Sequence, residues 1–126
     1  MRKIGINLYA REEIEMDRYV ELLKELEIDA AFSSLRTPEI IRENAELLAK
    51  AGISYEMLHA PFRQMNDIWF EGELGNLRYA ELAHCVDVCA SVGVPIMVVH
   101  LSSGIKPPPP TDIGRERFIN LVDYAG

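Results

Sequence analysis

Short apolar runs alternate with longer amphipathic segments along the whole chain. Short apolar runs are typical of buried strands, and apolar residues spaced three and four apart are typical of helices. The pattern predicts strands at residues 3–9, 28–33, 53–60 and 94–101, and helices at residues 12–27, 38–51, 77–92 and 112–125. We therefore expect four strand-helix units, an α/β fold and a parallel sheet.

Capping signals mark the boundaries of the second helix. Thr37 can accept a hydrogen bond from the first turn, and Pro38 suits the first helical position. Gly52 stands where a left-handed residue ends a helix. Thr111 and Asp112 form a similar start for the last helix, after four consecutive prolines.

Two architectures fit this order of elements: a doubly wound open sheet and a part of a (β/α)8 barrel. Successive strands begin about 25 residues apart, except where residues 61–76 form a long predicted connection. A full barrel takes roughly 250 residues, and this chain has 126. We therefore expect one domain, residues 1–126, built as four βα units that form half of a TIM barrel.

Composition narrows the classes of protein to consider. The chain is 48% hydrophobic and 26% charged, with a net charge of −7 that disfavours nucleic acid as a partner. No apolar run is long enough for a membrane helix or a secretory signal, so we expect a cytoplasmic protein without a membrane partner. Cys85 and Cys89 lie in a predicted helix and are interpreted as reduced packing residues.

Two predicted strands end in the same way, on a histidine. His59 ends the third strand before Ala60 and Pro61, and His100 ends the fourth. Strand alternation places His59 on one face with Tyr55 and Met57. The carboxyl ends of parallel strands form the active face of α/β proteins. We therefore predict a shared site, although each histidine alone could be an ordinary hydrogen-bonded residue.

Other polar and aromatic residues are candidates for binding a substrate at the same rim. Asn7 and Arg36 follow the first two strands, and Arg36 could bind an anionic group through its guanidinium. Trp69 lies in the long connection, where it could stack on a sugar ring or cover the core. His84, in the third helix, is predicted to be a surface or boundary residue.

Three segments together resemble the xylose-isomerase-like superfamily of sugar phosphate isomerases and epimerases. They are HAPF at residues 59–62, NDIW at residues 66–69, and VPIMVVHLSSG at residues 94–104 after a helix that ends in CASVG. The resemblance covers the whole chain and corresponds to the N-terminal half of the family's TIM barrel. The same barrel occurs in AP endonucleases that use several metal ions.

The resemblance implies a divalent metal, such as manganese, magnesium or zinc, and a sugar or sugar phosphate as the substrate. His59 and His100 correspond to family histidines that bind metal in one branch and contact substrate in another. The family's main metal carboxylates and acid-base residues come from strands five to eight, which this sequence does not contain. We therefore assign no catalytic residue and expect the chain alone to be catalytically incomplete.

A half-barrel would expose two strand edges and one apolar sheet face. Such surfaces favour association, and the simplest closed assembly is a homodimer. Two hypotheses follow: half of a metal-dependent sugar isomerase or epimerase, or a non-catalytic half-barrel that oligomerises or binds a ligand.

Overall fold

The computed structural model describes residues 2–8 and 15–126 of the chain. In this part, strands alternate with α-helices, and a 3-10 helix precedes the third α-helix. The elements are β1 (Gly5–Asn7), α1 (Met16–Glu25), β2 (Ala30–Ser34), α2 (Pro38–Ala51), β3 (Ser54–His59), the 3-10 helix (Met65–Trp69), α3 (Glu73–Val92), β4 (Ile96–Val98) and α4 (Asp112–Ala125). The predicted α/β class is confirmed.

The caps predicted for α2 and α4 are present. The Thr37 hydroxyl accepts a hydrogen bond from the Ile40 amide, and Gly52 ends α2 in the left-handed conformation, at φ 75°. The Thr111 hydroxyl accepts a hydrogen bond from the Gly114 amide at the start of α4. Local sequence therefore fixes where these two helices begin, because each cap satisfies an amide that has no partner within the helix.

The strands form one parallel sheet in the order β1-β2-β3-β4. Each of β2, β3 and β4 pairs with the strand that precedes it along the chain, as consecutive strands do in a TIM barrel. A doubly wound sheet would instead reverse its strand order at a switch point. The topology therefore favours the half-barrel over the open sheet. Among the described residues, β1 and β4 each have one edge without a partner strand.

The helices cover one face of the sheet, and both core clusters lie on that side. Leu58 and Met97 pack into the larger cluster with α3, and Ala31 packs into the smaller one with α1 and α2. Alternate residues face the other side, which we call the open face. It carries Asn7, Phe32, Ser34, Met57, His59, Ile96, Val98 and His100. None of these belongs to either core cluster of the described chain.

One sequence prediction about β3 is wrong. Ala31 of β2 pairs with Tyr55, but the next residue, Phe32, pairs with Met57. This irregularity lets Tyr55 pack against both core clusters on the helix side. Met57 and His59 remain together on the open face, whereas Tyr55 does not share it, because a bulge interrupts the alternation of side chains.

The connection at residues 61–76 is more structured than predicted. It contains the 3-10 helix, and α3 begins at Glu73 rather than at Leu77. Met65 and Ile68 are fully buried, so this segment closes one end of the larger core cluster. Gln64 adopts the left-handed conformation, with φ 56°, immediately before the 3-10 helix.

The other boundaries differ from the predictions by a few residues. β4 ends at Val98, and the irregular backbone that follows carries His100. The predicted end of the first strand at Tyr9 and the predicted start of the first helix, at residues 12–14, lie outside the described residues. Within residues 2–8 and 15–126, no helix combines the length and the apolar character needed to cross a membrane.

Candidate functional site

The rings of His59 and His100 meet at the carboxyl end of the sheet. Their Nε2 atoms lie 3.0 Å apart, and their ring centroids lie 4.9 Å apart. His59 pairs with Val98 in register, so His100, two residues farther along, points to the same side. The predicted convergence of the two histidines is confirmed, while metal binding by them stays a prediction.

A hydrogen bond defines the proton arrangement of the pair. The Nδ1 atom of His59 lies 2.8 Å from the carbonyl oxygen of Ala60. Because a carbonyl oxygen can only accept, Nδ1 carries the proton and donates it. The Nε2 atom of a neutral His59 then has a free lone pair, and the Nε2–H of His100 donates to it. This tautomer of His59 leaves the lone pair of its Nε2 atom able to bind a metal.

Phe62 forms an aromatic wall beside both rings, a role that the sequence analysis did not predict. It stacks on His100 with centroids 5.0 Å apart and an angle of 25°. It meets His59 edge to face, with centroids 5.5 Å apart. The available signal was the spacing in HAPF, where Pro61 fixes the backbone just before Phe62. Contacts of this kind limit the orientations that the two imidazoles can adopt.

A small open cavity of about 230 Å³ lies next to His59. Its lining is Ser34, Leu35, His59, Ala60, Pro61, Phe62 and Arg63. The hydroxyl group of Ser34 and the guanidinium group of Arg63 are polar, while the remaining walls are largely apolar. Such a mixture suits a small polar ligand that lies beside an imidazole.

The three residues predicted to bind substrate occupy different places. Asn7 is exposed on the open face, two strands away from β3, or about 10 Å at ordinary strand spacing. Arg36 is exposed just beyond the carboxyl end of β2, on the rim that carries His59. Their contact with a substrate stays a prediction.

Trp69 lies away from the open face. It is only 7% exposed, and its ring packs against Phe118 with centroids 5.4 Å apart. Its Nε1–H donates a hydrogen bond to the carbonyl oxygen of Leu101, at 2.7 Å. This burial favours the alternative stated for Trp69, that its side chain covers the core. Stacking of Trp69 on a sugar ring stays a prediction.

The remaining titratable candidates lie outside the site. His84 is exposed on α3, as predicted. Cys85 and Cys89 are free and buried, which confirms their interpretation as reduced packing residues. A hydrogen bond from the Cys85 thiol lowers the pKa of Cys89, and the same bond, together with burial, raises the pKa of Cys85.

The histidine pair fits part of a metal centre. Two imidazole nitrogens bound tetrahedrally to zinc at 2.0–2.1 Å lie about 3.3 Å apart. The observed 3.0 Å is close to this separation. Both Nε2 atoms can bind one ion only when the proton on Nε2 of His100 has moved to its Nδ1. Across residues 2–8 and 15–126, no group of three or more His, Cys, Asp or Glu side chains could hold a metal. The pair would therefore provide two ligands at most, and a metal centre would need further ones.

Comparisons with known proteins identify solved structures that have a similar fold. No protein-family model matches the sequence, and neither does any curated protein. Among solved structures, the chain is similar to a Rhodospirillum rubrum protein that carries the name of a xylose isomerase. The TM-score is 0.76 and the sequence identity is 21%, over 98% of this chain and 50% of that protein.

The chain is also similar to a D-psicose 3-epimerase whose structure was determined in the presence of D-fructose. Here the TM-score is 0.69 and the identity is 16%, over 98% of this chain and 48% of the epimerase. This chain thus spans about half the length of both proteins. It has the fold of half a TIM barrel, which is the fold that its resemblance to the xylose-isomerase-like superfamily implied.

Proposed function

We propose that this chain is the N-terminal half of a sugar or sugar phosphate isomerase or epimerase that depends on a divalent metal. The observation that carries the proposal is the 3.0 Å separation between the Nε2 atoms of His59 and His100. The pair lies at the carboxyl end of parallel strands, where the active sites of TIM barrels form. The fold is similar to that of a protein named as a xylose isomerase and to that of an epimerase. These similarities support a sugar as the class of substrate.

The residues of this chain would have distinct parts in that reaction. His59 and His100 would hold the ion, which would be manganese, magnesium or zinc. The Nδ1–H bond to the Ala60 carbonyl keeps His59 in the required tautomer. Arg36 would bind a phosphate or another anionic group of the substrate, and Asn7 would contact its hydroxyl groups. When bound, the metal polarises a carbonyl oxygen and stabilises the charge that develops there.

Proton transfer next to a carbonyl also needs an acid and a base. In the described chain, the histidine pair has no carboxylate group close enough to complete a metal centre with it. We therefore propose that this chain binds the metal and part of the substrate, and that residues outside it complete catalysis.

Calorimetric titration with Mn²⁺, Mg²⁺ and Zn²⁺ tests the proposal. The wild-type protein should bind at least one of these ions, and the His59→Ala/His100→Ala double variant should lose that binding. His84→Ala is the matched control, because it removes an exposed imidazole that lies on α3 and takes no part in the pair. Equal binding by all three proteins would remove His59 and His100 from the list of ligands.

The unpaired strand edges favour a second candidate function, a half-barrel that oligomerises. In a two-fold homodimer, β4 of one copy would pair with β1 of the other, and two open faces would enclose one barrel. Ile96, on β4, is 48% exposed and would become buried there. Sedimentation velocity should show a dimer that Ile96→Lys dissociates, while Ile119→Lys, at an exposed position on α4, should not. A wild-type monomer at micromolar concentration would contradict this function.

A further inference from the structure

We infer that Asn66 and Trp69 are positioning residues that hold His100 against His59. The side-chain amide of Asn66 makes two hydrogen bonds to the backbone of Ser103. Its Nδ2 donates to the Ser103 carbonyl, and its Oδ1 accepts from the Ser103 amide, both at 2.8 Å. Trp69 Nε1–H donates to the carbonyl of Leu101, at 2.7 Å. We call these three bonds the clamp.

The clamp acts where the sheet no longer supports the backbone. β4 ends at Val98, and residues 99–103 have no regular secondary structure. Ala60 donates its amide to the carbonyl of Val98, which is the last sheet-like bond before His100. His100 is exposed, and the clamp begins at the residue immediately after it. The clamp therefore fixes the segment that carries the ring.

The other histidine does not depend on the clamp. His59 is the last residue of β3, and its carbonyl accepts a hydrogen bond from the Leu35 amide at 2.9 Å. Its ring is held by the bond from Nδ1 to Ala60. The geometry of the pair thus combines one imidazole fixed by the sheet with one fixed by the clamp, so loss of the clamp should move only His100.

The 3-10 helix that carries the clamp is itself anchored to α4. Arg117 donates from Nη1 to the carbonyls of Ile68 and Phe70, at 2.7 and 2.6 Å. Its Nη2 donates to the side-chain oxygen of Asn76, at 2.8 Å. A buried guanidinium that binds two backbone carbonyls holds the 3-10 helix rigidly, because releasing it would leave those carbonyls unpaired.

Close packing adds a second anchor for Trp69. A Cβ atom on Gly114 would lie 2.1 Å from the Cε3 atom of Trp69, so only glycine allows this approach. The Thr111 hydroxyl donates to the carbonyl of Trp69 and also caps α4. A chain of contacts therefore runs from α4 through the 3-10 helix to the backbone beside His100.

Nuclear Overhauser contacts between the ring protons of the two histidines test this inference in metal-free protein. The wild type should show contacts between the His59 and His100 rings. Asn66→Ala and Trp69→Phe should each weaken or abolish them, while Asn66→Asp, which keeps the acceptor for the Ser103 amide, should retain more. The control is Tyr124→Phe, which removes a hydrogen bond to Asp87 elsewhere and should leave the ring contacts unchanged.

Unchanged ring contacts in folded Asn66→Ala and Trp69→Phe would overturn the inference. If Asn66→Ala does not fold, Asn66→Asp and Trp69→Phe decide the question, since Asp has nearly the size of Asn and Phe keeps an aromatic ring without the N–H donor. A second readout rests on the proposed function: zinc affinity should fall about 10- to 100-fold on loss of the clamp. A wild type that binds no zinc but shows clamp-dependent ring contacts would remove the metal centre and keep the clamp.

Discussion

The Nε2 atoms of His59 and His100 lie 3.0 Å apart although 41 residues separate them along the chain. Neighbouring parallel strands bring the two residues to one rim, and Phe62 packs against both rings. Two imidazoles in contact form a site only if the surrounding structure holds them there.

Arg117 should be among the most important polar residues for stability. It is 7% exposed and satisfies the carbonyls of Ile68 and Phe70. Arg117→Met would leave the buried carbonyl of Ile68 and the partly buried carbonyl of Phe70 without this donor, so we expect the free energy of unfolding to fall by about 3 kcal/mol. Urea denaturation followed by circular dichroism measures the change.

A matched arginine on the same helix provides the control. Arg115 forms an exposed ion pair with Asp112, and its replacement by methionine should cost less than about 1 kcal/mol. Similar losses for Arg115→Met and Arg117→Met would show that the buried hydrogen bonds of Arg117 do not anchor the 3-10 helix.

Tyr55 should make the free energy of unfolding fall as the pH rises in the alkaline range. Burial raises the pKa of its phenol, and a hydrogen-bond contact with Ser33, 2.5 Å away, offsets only part of that effect. The unfolded chain therefore loses this proton first, at a pH of about 10. The contribution of the protonated Tyr55 phenol to stability is complete below that pH and is lost as the pH rises towards the folded-state pKa.

Thermal unfolding between pH 8 and pH 11 measures this effect. Tyr55→Phe should lose less stability than the wild type over the alkaline part of the range. Ser33→Ala keeps the phenol and should retain the alkaline loss. An identical pH dependence in Tyr55→Phe and the wild type would contradict the assignment.

The two cysteines should differ in reactivity. Cys89 lies against a groove of about 360 Å³ between α3, β4 and α4, and its pKa is lowered by the hydrogen bond from Cys85. Cys85 is fully buried, and its pKa is raised. Iodoacetamide should therefore modify Cys89 first in the folded protein, because the thiolate is the nucleophile. Peptide mapping by mass spectrometry would refute this if Cys85 reacted at an equal or higher rate.

The sequence was sufficient to predict features that depend on local pattern. Thr37 and Gly52 mark the ends of α2 because capping is a property of a few adjacent residues. The histidines at two strand ends could be placed on one rim because parallel neighbours share their carboxyl edge. The α/β class and the half-barrel followed from the order and spacing of these elements.

Features that depend on distant residues could not be predicted. Nothing near Asn66 in the sequence indicates that its amide binds Ser103, 37 residues away. The position of Arg117 in an amphipathic helix gives no sign that it binds the carbonyl of Ile68. The bulge that moves Tyr55 to the helix side also depends on pairing with β2, which strict alternation ignores.

X-ray absorption at the zinc edge is the most direct test of the central claim that His59 and His100 bind one metal ion together. The zinc-loaded wild type should show two imidazole ligands at about 2.0–2.1 Å, and His59→Ala and His100→Ala should each show one fewer. A spectrum that both substitutions leave unchanged, or one without imidazole ligands in the wild type, would contradict the account.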